Sequence, residues 1–404
     1  MKSHQTHAYW DYHLHNVLLN GVAVNGQSPF YSDTRSGTGT RLKRFNFNFD
    51  GYRYDTFQRN YSDTPYTLDD GGLLFRGRPL SRLPFSLIPP DEDEWGSERA
   101  WWFKSFPSLD HYYDLRLNPI NACSNLRYAS GANGELKGCV FCHRCYDQPR
   151  IVENRAVVPL EKLFAEIEAA HGSAVFGRIG KTMVVTGDLS SENEMVELLE
   201  TIYHRHLQPR GFRGVFSAVT TLIRSPRGIQ RLANLDDTLF EFPVECFERR
   251  QMILGKRKGI PLDEVMAVLR TARHHFRSIR LNYLVGLDHL AAVSAGFGRL
   301  QQDRLVDDVI SNIFIPYDSR ALTYRLPESF EMRYLYGYRK ILRGFGLSPK
   351  RTGPTKDAFS PFFKSVMEDE LLLEASARPV AGLRPCSATD ARFTQARRPR
   401  TRVE

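Results

Sequence analysis

From residue 110 onward, short apolar segments alternate with amphipathic segments of helical periodicity. This alternation is typical of α/β folds, because each strand of a parallel sheet is joined to the next strand by a crossover helix. The predicted strands are 112–120, 181–188, 214–223, 238–247, 278–288 and 307–317, and the predicted helices are 159–172, 190–207, 226–235, 261–276 and 289–302. Six strands with five intervening helices predict an α/β fold of the partial TIM-barrel type, (β/α)6.

The rest of the chain divides by composition into three further regions. Residues 1–108 are rich in aromatic and turn residues with little helical periodicity, which predicts an irregular extension with a few short strands. The barrel core is assigned to 109–320, and 321–375 is predicted to be a helical cap that includes a helix at 328–346. Residues 376–404 are rich in Arg, Pro, Ser, Thr and Ala, a composition that predicts a disordered basic tail.

The tail explains much of the charge of the chain. Residues 378–404 carry seven arginines against Asp390 and Glu404, a net charge of +5 within a total of +9. Such a tail could contact nucleic acid or acidic surfaces, but its composition favours a solvated tail without a specific role. The remaining body is only mildly basic.

Nothing in the sequence points to a membrane or to secretion. No run of about 18 apolar residues is present, and the N-terminal segment lacks the apolar stretch and small-residue cleavage site of a signal peptide. The sequence therefore predicts a cytoplasmic protein without a membrane span.

Four of the six cysteines fall within 23 residues, namely Cys123, Cys139, Cys142 and Cys145. In a long chain without a signal peptide, such clustering favours metal or redox chemistry over disulfides. An iron–sulfur cluster and a structural zinc site are the two candidates. The cysteines follow the first predicted strand, so they are expected at the carboxyl edge of the sheet, where α/β folds bind ligands.

This cysteine loop resembles that of the radical S-adenosylmethionine (SAM) superfamily. Members carry a CxxxCxxC motif after the first strand, with an aromatic residue before the third cysteine. Here Cys123, Cys139 and Cys142 correspond to the three cysteines and Phe141 to the aromatic residue, but fifteen residues separate the first two cysteines instead of three. The triple Cys139, Cys142 and Cys145 is the alternative, in which Arg144 replaces the aromatic residue.

The resemblance also implies residues that contact SAM. The turn Gly187-Asp188 after the second strand is similar to the turn that binds the SAM amino group, with a shorter acid than usual. Residues 244–259 resemble the segment that contacts the ribose and carboxylate, and the strand ending at 288 resembles the glycine-containing motif near adenine. The corresponding candidates are Glu245, Arg249, Gly286 and Asp288.

The implied chemistry uses a 4Fe–4S cluster with one iron left open for SAM. A reduced cluster would donate one electron to SAM, and the resulting 5′-deoxyadenosyl radical would take hydrogen from a substrate. The resemblance names no catalytic side chain; it implies a small-molecule or amino-acid-like substrate and a one-electron donor such as flavodoxin or ferredoxin.

Two alternative functions remain at this stage. The first is a radical SAM enzyme that modifies RNA, with the basic tail and the N-terminal aromatic residues in contact with the nucleic acid. The second is a non-catalytic zinc-binding factor that interacts with nucleic acid or protein and uses all four clustered cysteines.

Overall fold

A computed structural model describes the parts of the chain on which the fold rests. These are residues 13, 16–17, 20–24, 44–49, 52–57, 64–69, 72–80, 85–88, 95–96, 100–106, 112–120, 123, 139–141, 159–314 and 323–347. Cys142, Cys145 and the predicted tail at 376–404 lie outside the described residues.

Seven short strands lie in the described residues before position 90. They are β1 (Ala23–Val24), β2 (Arg44–Phe49), β3 (Tyr52–Phe57), β4 (Tyr66–Asp69), β5 (Gly72–Phe75), β6 (Arg78–Pro79) and β7 (Phe85–Ile88). They form one sheet of order β1-β4-β5-β6 and another of order β3-β2-β7. Asn20 Nδ2 donates a hydrogen bond to the Phe330 carbonyl over 3.1 Å, which ties this region to the C-terminal part of the chain.

The main sheet has eight strands in sequential order. They are β8 (Trp95–Gly96), β9 (Trp101–Phe106), β10 (Tyr112–Leu117), β11 (Ile179–Val184), β12 (Val215–Val219), β13 (Thr238–Glu245), β14 (Ile279–Val285) and β15 (Asp308–Ile313). Strands β10 to β15 are all parallel, so the predicted six-stranded partial barrel is confirmed. Strands β8 and β9 were not predicted as part of this sheet; they extend it antiparallel, so that it begins at Trp95.

Seven α-helices accompany the main sheet in the described residues. They are α1 (Leu160–His171), α2 (Glu192–Thr201), α3 (Pro226–Ala233), α4 (Arg250–Lys258), α5 (Leu262–Arg273), α6 (Leu290–Gln302) and α7 (Met332–Gly344). All five predicted crossover helices are present, and α7 lies within the predicted helix at 328–346. Helix α4 was not predicted: Gly255 interrupts it with a non-helical backbone at φ 76° and ψ 161°. No helix that the structure describes has the length and apolar content needed to cross a membrane.

The two faces of the parallel sheet differ in chemistry, because side chains alternate along each strand. One face packs against the helices and forms the main apolar core, with Leu115, Val184, Phe216, Phe242, Leu281 and Val309 all buried. The other face, the lumen of the half-barrel, carries buried charged and polar side chains, namely Asp114, Lys181, Ser217, Glu241, Arg280, Asn282 and Asp308.

Ion pairs and hydrogen bonds connect many of the lumen side chains. Lys181 Nζ lies 3.8 Å from Glu241 Oε2, and Asn282 Nδ2 donates to Glu241 Oε1 over 3.1 Å. Arg280 pairs with Asp308 over 2.9 Å on the neighbouring strand. A buried charge is costly unless it is paired and hydrogen-bonded, so the lumen is a polar layer that depends on these partners.

Candidate functional site

The carboxyl edge of the sheet gathers the candidate site residues that the structure describes. Gly187 and Asp188 follow β11, Glu245 ends β13, and Gly286 and Asp288 follow β14. In parallel α/β folds this edge is the one that binds ligands, because the loops after successive strands converge there. These candidate residues therefore lie at one edge of the sheet, and their roles stay predictions.

Cys123 is linked to the turn that follows β11. The backbone amide of Asp188 donates a hydrogen bond to Cys123 Sγ over 3.3 Å. In the same connection, Thr186 Oγ1 donates to the Ile120 carbonyl over 2.9 Å, and the Val185 amide donates to the Leu117 carbonyl over 2.8 Å. These three bonds hold the loop after β10 against the loop after β11, and they place the first predicted cluster ligand beside the acid predicted to bind SAM.

Cys139 and Phe141 lie against a different part of the same edge. The Val140 amide donates to the Ile253 carbonyl of α4 over 2.9 Å, and the Cys139 thiol lies 3.4 Å from the Leu254 carbonyl. Cys139 is buried in a small apolar cluster, and Phe141 packs against it half-buried; the other members are Val140, Cys246, Ile253, Leu254, Leu287 and Phe314. Residues 139–141 therefore pack against α4 and against the residues that follow β14 and β15.

The donor set at this edge suits an iron–sulfur cluster as far as it is described. Iron–sulfur clusters are bound by cysteine thiolates, and N–H groups that donate to the sulfurs tune them. The Asp188 amide donates to Cys123 Sγ, so Cys123 carries a hydrogen bond of this kind. Within the described residues no group of three or more His, Cys, Asp or Glu is arranged to hold a metal ion. The third predicted ligand, Cys142, and the alternative ligand, Cys145, lie outside those residues. The choice between Cys123 and Cys145 stays a prediction.

Asp188 offers a buried acid at the edge, since its residue is 3% exposed. The half-buried Gly187 precedes it in the same turn. A buried carboxylate is suited to a cationic ligand group, because a charge-assisted hydrogen bond strengthens where water is excluded. This geometry is compatible with the predicted contact to the SAM ammonium group.

Glu245 and Arg249 flank the connection between β13 and α4, and both have a left-handed backbone, with φ of 63° and 50°. Left-handed backbone is uncommon for residues with side chains and occurs often at functional sites. The Arg249 guanidinium donates to the backbone carbonyls of Leu287 and Tyr324. These two hydrogen bonds from Arg249 join the loop after β13 to the segments after β14 and β15.

Asp288 is bound by protein donors on both oxygens. The Phe247 amide donates to Oδ2 over 2.7 Å, the Glu248 amide donates to Oδ1 over 2.9 Å, and the Tyr283 hydroxyl donates to Oδ2 over 2.8 Å. Burial raises the pKa of Asp288, while the two backbone hydrogen bonds act in the opposite direction. The visible role of this carboxylate is to hold the loop after β13; its predicted contact near adenine stays a prediction.

Gly286 has a specific structural requirement at its position after β14. Its φ is +110°, and a Cβ atom there would lie 3.0 Å from Ser329 Oγ. Only glycine adopts such a backbone without strain. The chain therefore comes close to the turn Pro327–Phe330 at this point of the candidate site.

Arg250 was missed in the sequence, although it is the most connected side chain of the loop after β13. It is buried and donates to the carbonyls of Val244, Cys246 and Ile260. Burial lowers its pKa from the ordinary arginine value. The adjacent pair Arg249 and Arg250 could have drawn attention to this loop in the sequence. The pair alone does not predict which of the two side chains is buried.

Known proteins give a limited comparison. No protein-family model and no curated protein matches the sequence. Among solved structures, the chain is similar to the FeFe-hydrogenase maturase HydG from Carboxydothermus hydrogenoformans, at 17% identity and a TM-score of 0.42, covering 56% of this chain and 50% of that one.

A second similar structure is coproporphyrinogen III oxidase (HemN) from Escherichia coli, a radical SAM enzyme. The identity is 15% and the TM-score 0.34, over 46% of this chain and 45% of that one. The chain thus spans about half of the length of each solved structure that it matches. By its own topology the chain has a half-barrel of six parallel strands, and it is similar in structure to these two proteins, one of which is a radical SAM enzyme.

Proposed function

We propose that this chain is a radical SAM enzyme that binds a 4Fe–4S cluster and SAM at the carboxyl edge of its half-barrel. The observation that carries the proposal is the hydrogen bond between the Asp188 amide and Cys123 Sγ. It joins the cysteine that resembles the first cluster ligand to the acid that resembles the SAM-binding turn. In the sequence these two residues are 65 positions apart, so their contact is a product of the fold.

The predicted site residues have the following proposed roles. Cys123 and Cys139, together with Cys142, would hold the cluster and leave one iron open, and Phe141 would pack beside it. Asp188 would accept hydrogen bonds from the SAM ammonium group, and Arg249 would contact its carboxylate through the donors that Leu287 and Tyr324 leave unused. Glu245, Gly286 and Asp288 would shape the pocket for the nucleoside.

When bound, the cluster and SAM supply reductive cleavage of a carbon–sulfur bond and hydrogen abstraction from the substrate. The polypeptide orients SAM and excludes water from the reaction. We propose a small-molecule or amino-acid-like substrate and a one-electron donor such as flavodoxin or ferredoxin. The polar lumen below the site, with Asn282 and Ser217 among its buried groups, is suited to a polar substrate.

Anaerobic reconstitution tests this function directly. The purified chain is expected to be brown and to bind about four iron and four sulfide atoms, as one 4Fe–4S cluster requires. Incubation with SAM and dithionite should then release 5′-deoxyadenosine and methionine. A colourless protein with one bound zinc and no SAM cleavage would instead favour the non-catalytic factor.

A further inference from the structure

A cavity lies at the opposite end of the strands from Cys123 and Cys139. It has a volume of about 570 Å³ and opens at the amino ends of β11 to β14, where Lys181, Val215, Leu239 and Arg280 contribute to its wall. Cavities of roughly 300–1,000 Å³ are typical of small-molecule sites. None of the proposed cluster or SAM residues lines it.

Lys181 is the unusual group in this wall. Its side chain is 10% exposed, and in the described part of the chain its only ion pair is with Glu241, at 3.8 Å, a distance beyond hydrogen bonding. An ammonium group has three N–H donors, and leaving them without hydrogen bonds in a buried position costs free energy. Burial lowers the pKa of Lys181, while the neighbouring carboxylate of Glu241 acts in the opposite direction.

The charges around Lys181 nearly cancel. Glu241 and Asp114 favour its charged form, whereas Arg280 and Arg116 disfavour it. Arg280 is itself paired with Asp308 over 2.9 Å. A carboxylate entering the cavity would bring hydrogen-bond acceptors to the Lys181 ammonium group, whereas a polyanion would meet stronger repulsion from Glu241 and Asp114.

The remainder of the cavity offers apolar contact. Val215 stands at the start of β12 with 39% of its surface exposed, and Leu239 and Phe276 line the same space. The exposed rim carries both signs of charge, from Asp236, Asp237, His275 and Arg277. Exposed charges are screened by water and salt, so the buried Lys181 and the apolar wall decide which ligand fits.

We propose that this cavity binds a small carboxylate monoanion with an apolar body, with its acid group towards Lys181 and Arg280. The site goes beyond the proposed function, because it lies at the amino edge of the sheet and uses none of the cluster or SAM residues. Its occupant would contact the underside of the polar lumen through Lys181, whose Glu241 partner belongs to that lumen.

Calorimetric titration of the full chain tests the proposal with three probes of equal shape: 3-phenylpropionate, 3-phenylpropanol and 3-phenylpropylamine. The acid is expected to bind saturably and at least about tenfold more tightly than the alcohol, since a hydrogen bond to a charged group is worth about 1.5–3 kcal/mol. The amine should not bind. Equal binding of the acid and the alcohol, or no saturable binding of the acid, would overturn the proposal.

Two variants assign the binding to this cavity. Lys181→Met should weaken binding of the acid by about tenfold or more, while Lys162→Met, at a lysine that is 61% exposed on α1, should leave it unchanged. Val215→Trp should abolish binding by filling the cavity while Lys181 remains in place. Lys181→Met could unfold, because it leaves the buried Glu241 without its cation. In that case Val215→Trp alone tests whether the acid binds in this cavity. If Val215→Trp binds the acid as tightly as the wild type, the acid does not bind in this cavity.

Discussion

The Asp188 amide donates a hydrogen bond to Cys123 Sγ over 3.3 Å, although the two residues belong to the loops after different strands. In general, an N–H donor stabilises negative charge on sulfur, and cysteine binds iron–sulfur clusters as the thiolate. The same residue offers its buried carboxylate at the site. One turn could therefore support both the cluster and the ligand that the cluster activates, and the two functions can be separated by mutation.

The cysteine ligands are the first point at which the proposal can be tested. Cys123→Ala, Cys139→Ala and Cys142→Ala are each expected to abolish 5′-deoxyadenosine formation, because each would leave the cluster with an incomplete ligand set. Cys145→Ala should retain it. Iron content and product are measured on anaerobically reconstituted protein. If Cys145 proves essential and Cys123 dispensable, the ligand triple is Cys139, Cys142 and Cys145.

Asp188→Asn should separate the two functions of the turn. The substitution keeps the backbone amide, so the bond to Cys123 and the iron content should persist. Affinity for SAM should fall by about tenfold or more, because the charge on the partner of the SAM ammonium group is lost. Equilibrium dialysis with SAM measures the change.

A matched control for Asp188→Asn is available on the surface. Asp303 is 42% exposed and pairs with Arg270 over 2.6 Å, so Asp303→Asn should leave SAM affinity unchanged. Wild-type affinity in Asp188→Asn would mean that Asp188 does not bind the ammonium group.

The sequence predicted the parallel strands well for a physical reason. Strands buried on both faces and the helices between them leave strong local patterns of hydrophobicity, and all six parallel strands and all five crossovers were found. Strand β9 was not predicted as part of the main sheet. Its membership follows from antiparallel hydrogen bonds to β10, and a local hydrophobic pattern does not show which strands pair. Helix α4 was missed because Gly255 breaks its periodicity.

The candidate site was less accessible to sequence reasoning. Spacing and order predicted which loops carry the site, and the described residues of those loops lie at one edge of the sheet. The role of Asp288 could not be predicted, because its donors Phe247 and Glu248 are about 40 residues away in the chain. Hydrogen bonds of this range follow from the fold and leave no periodic signal.

Gly286→Ala should destabilise the protein by more than about 1 kcal/mol, because φ of +110° is strained for alanine and its Cβ would crowd Ser329. Gly344→Ala is the control: no atom lies within 4 Å of the position of its Cβ, and Gly344 ends α7. Denaturant unfolding measures both variants. A neutral Gly286→Ala would show that the backbone there relaxes easily.

Acid should weaken the packing of the N-terminal region through His13. Burial lowers its pKa from 6.5 to about 4, and its Nδ1 lies 2.9 Å from the Tyr66 hydroxyl. A histidine with a lowered folded-state pKa contributes stability that is present above pH 6.5 and is lost as the pH falls towards 4, up to about 3 kcal/mol here.

Thermal midpoints at pH 7.5 and pH 5 for wild type and His13→Gln test this effect. The variant should lose less stability between the two pH values, since glutamine keeps a hydrogen-bonding group near Tyr66 and does not titrate. Some loss should remain, because burial also lowers the pKa of His206. His275→Gln, at an exposed histidine, should behave as wild type.

Removal of residues 378–404 distinguishes a small-molecule substrate from RNA. These residues hold a net charge of +5, and contacts to phosphates through such charges are strongly salt-dependent. For the proposed small-molecule enzyme, the truncated chain should cleave SAM at the wild-type rate in the presence and absence of added RNA. If RNA stimulates cleavage by the full chain, and truncation or moderate salt removes that stimulation, the RNA-modifying alternative replaces the small-molecule proposal. Such a result would leave the cluster assignment intact, because cleavage of SAM without RNA reports on the proposed cluster and SAM residues and not on the tail.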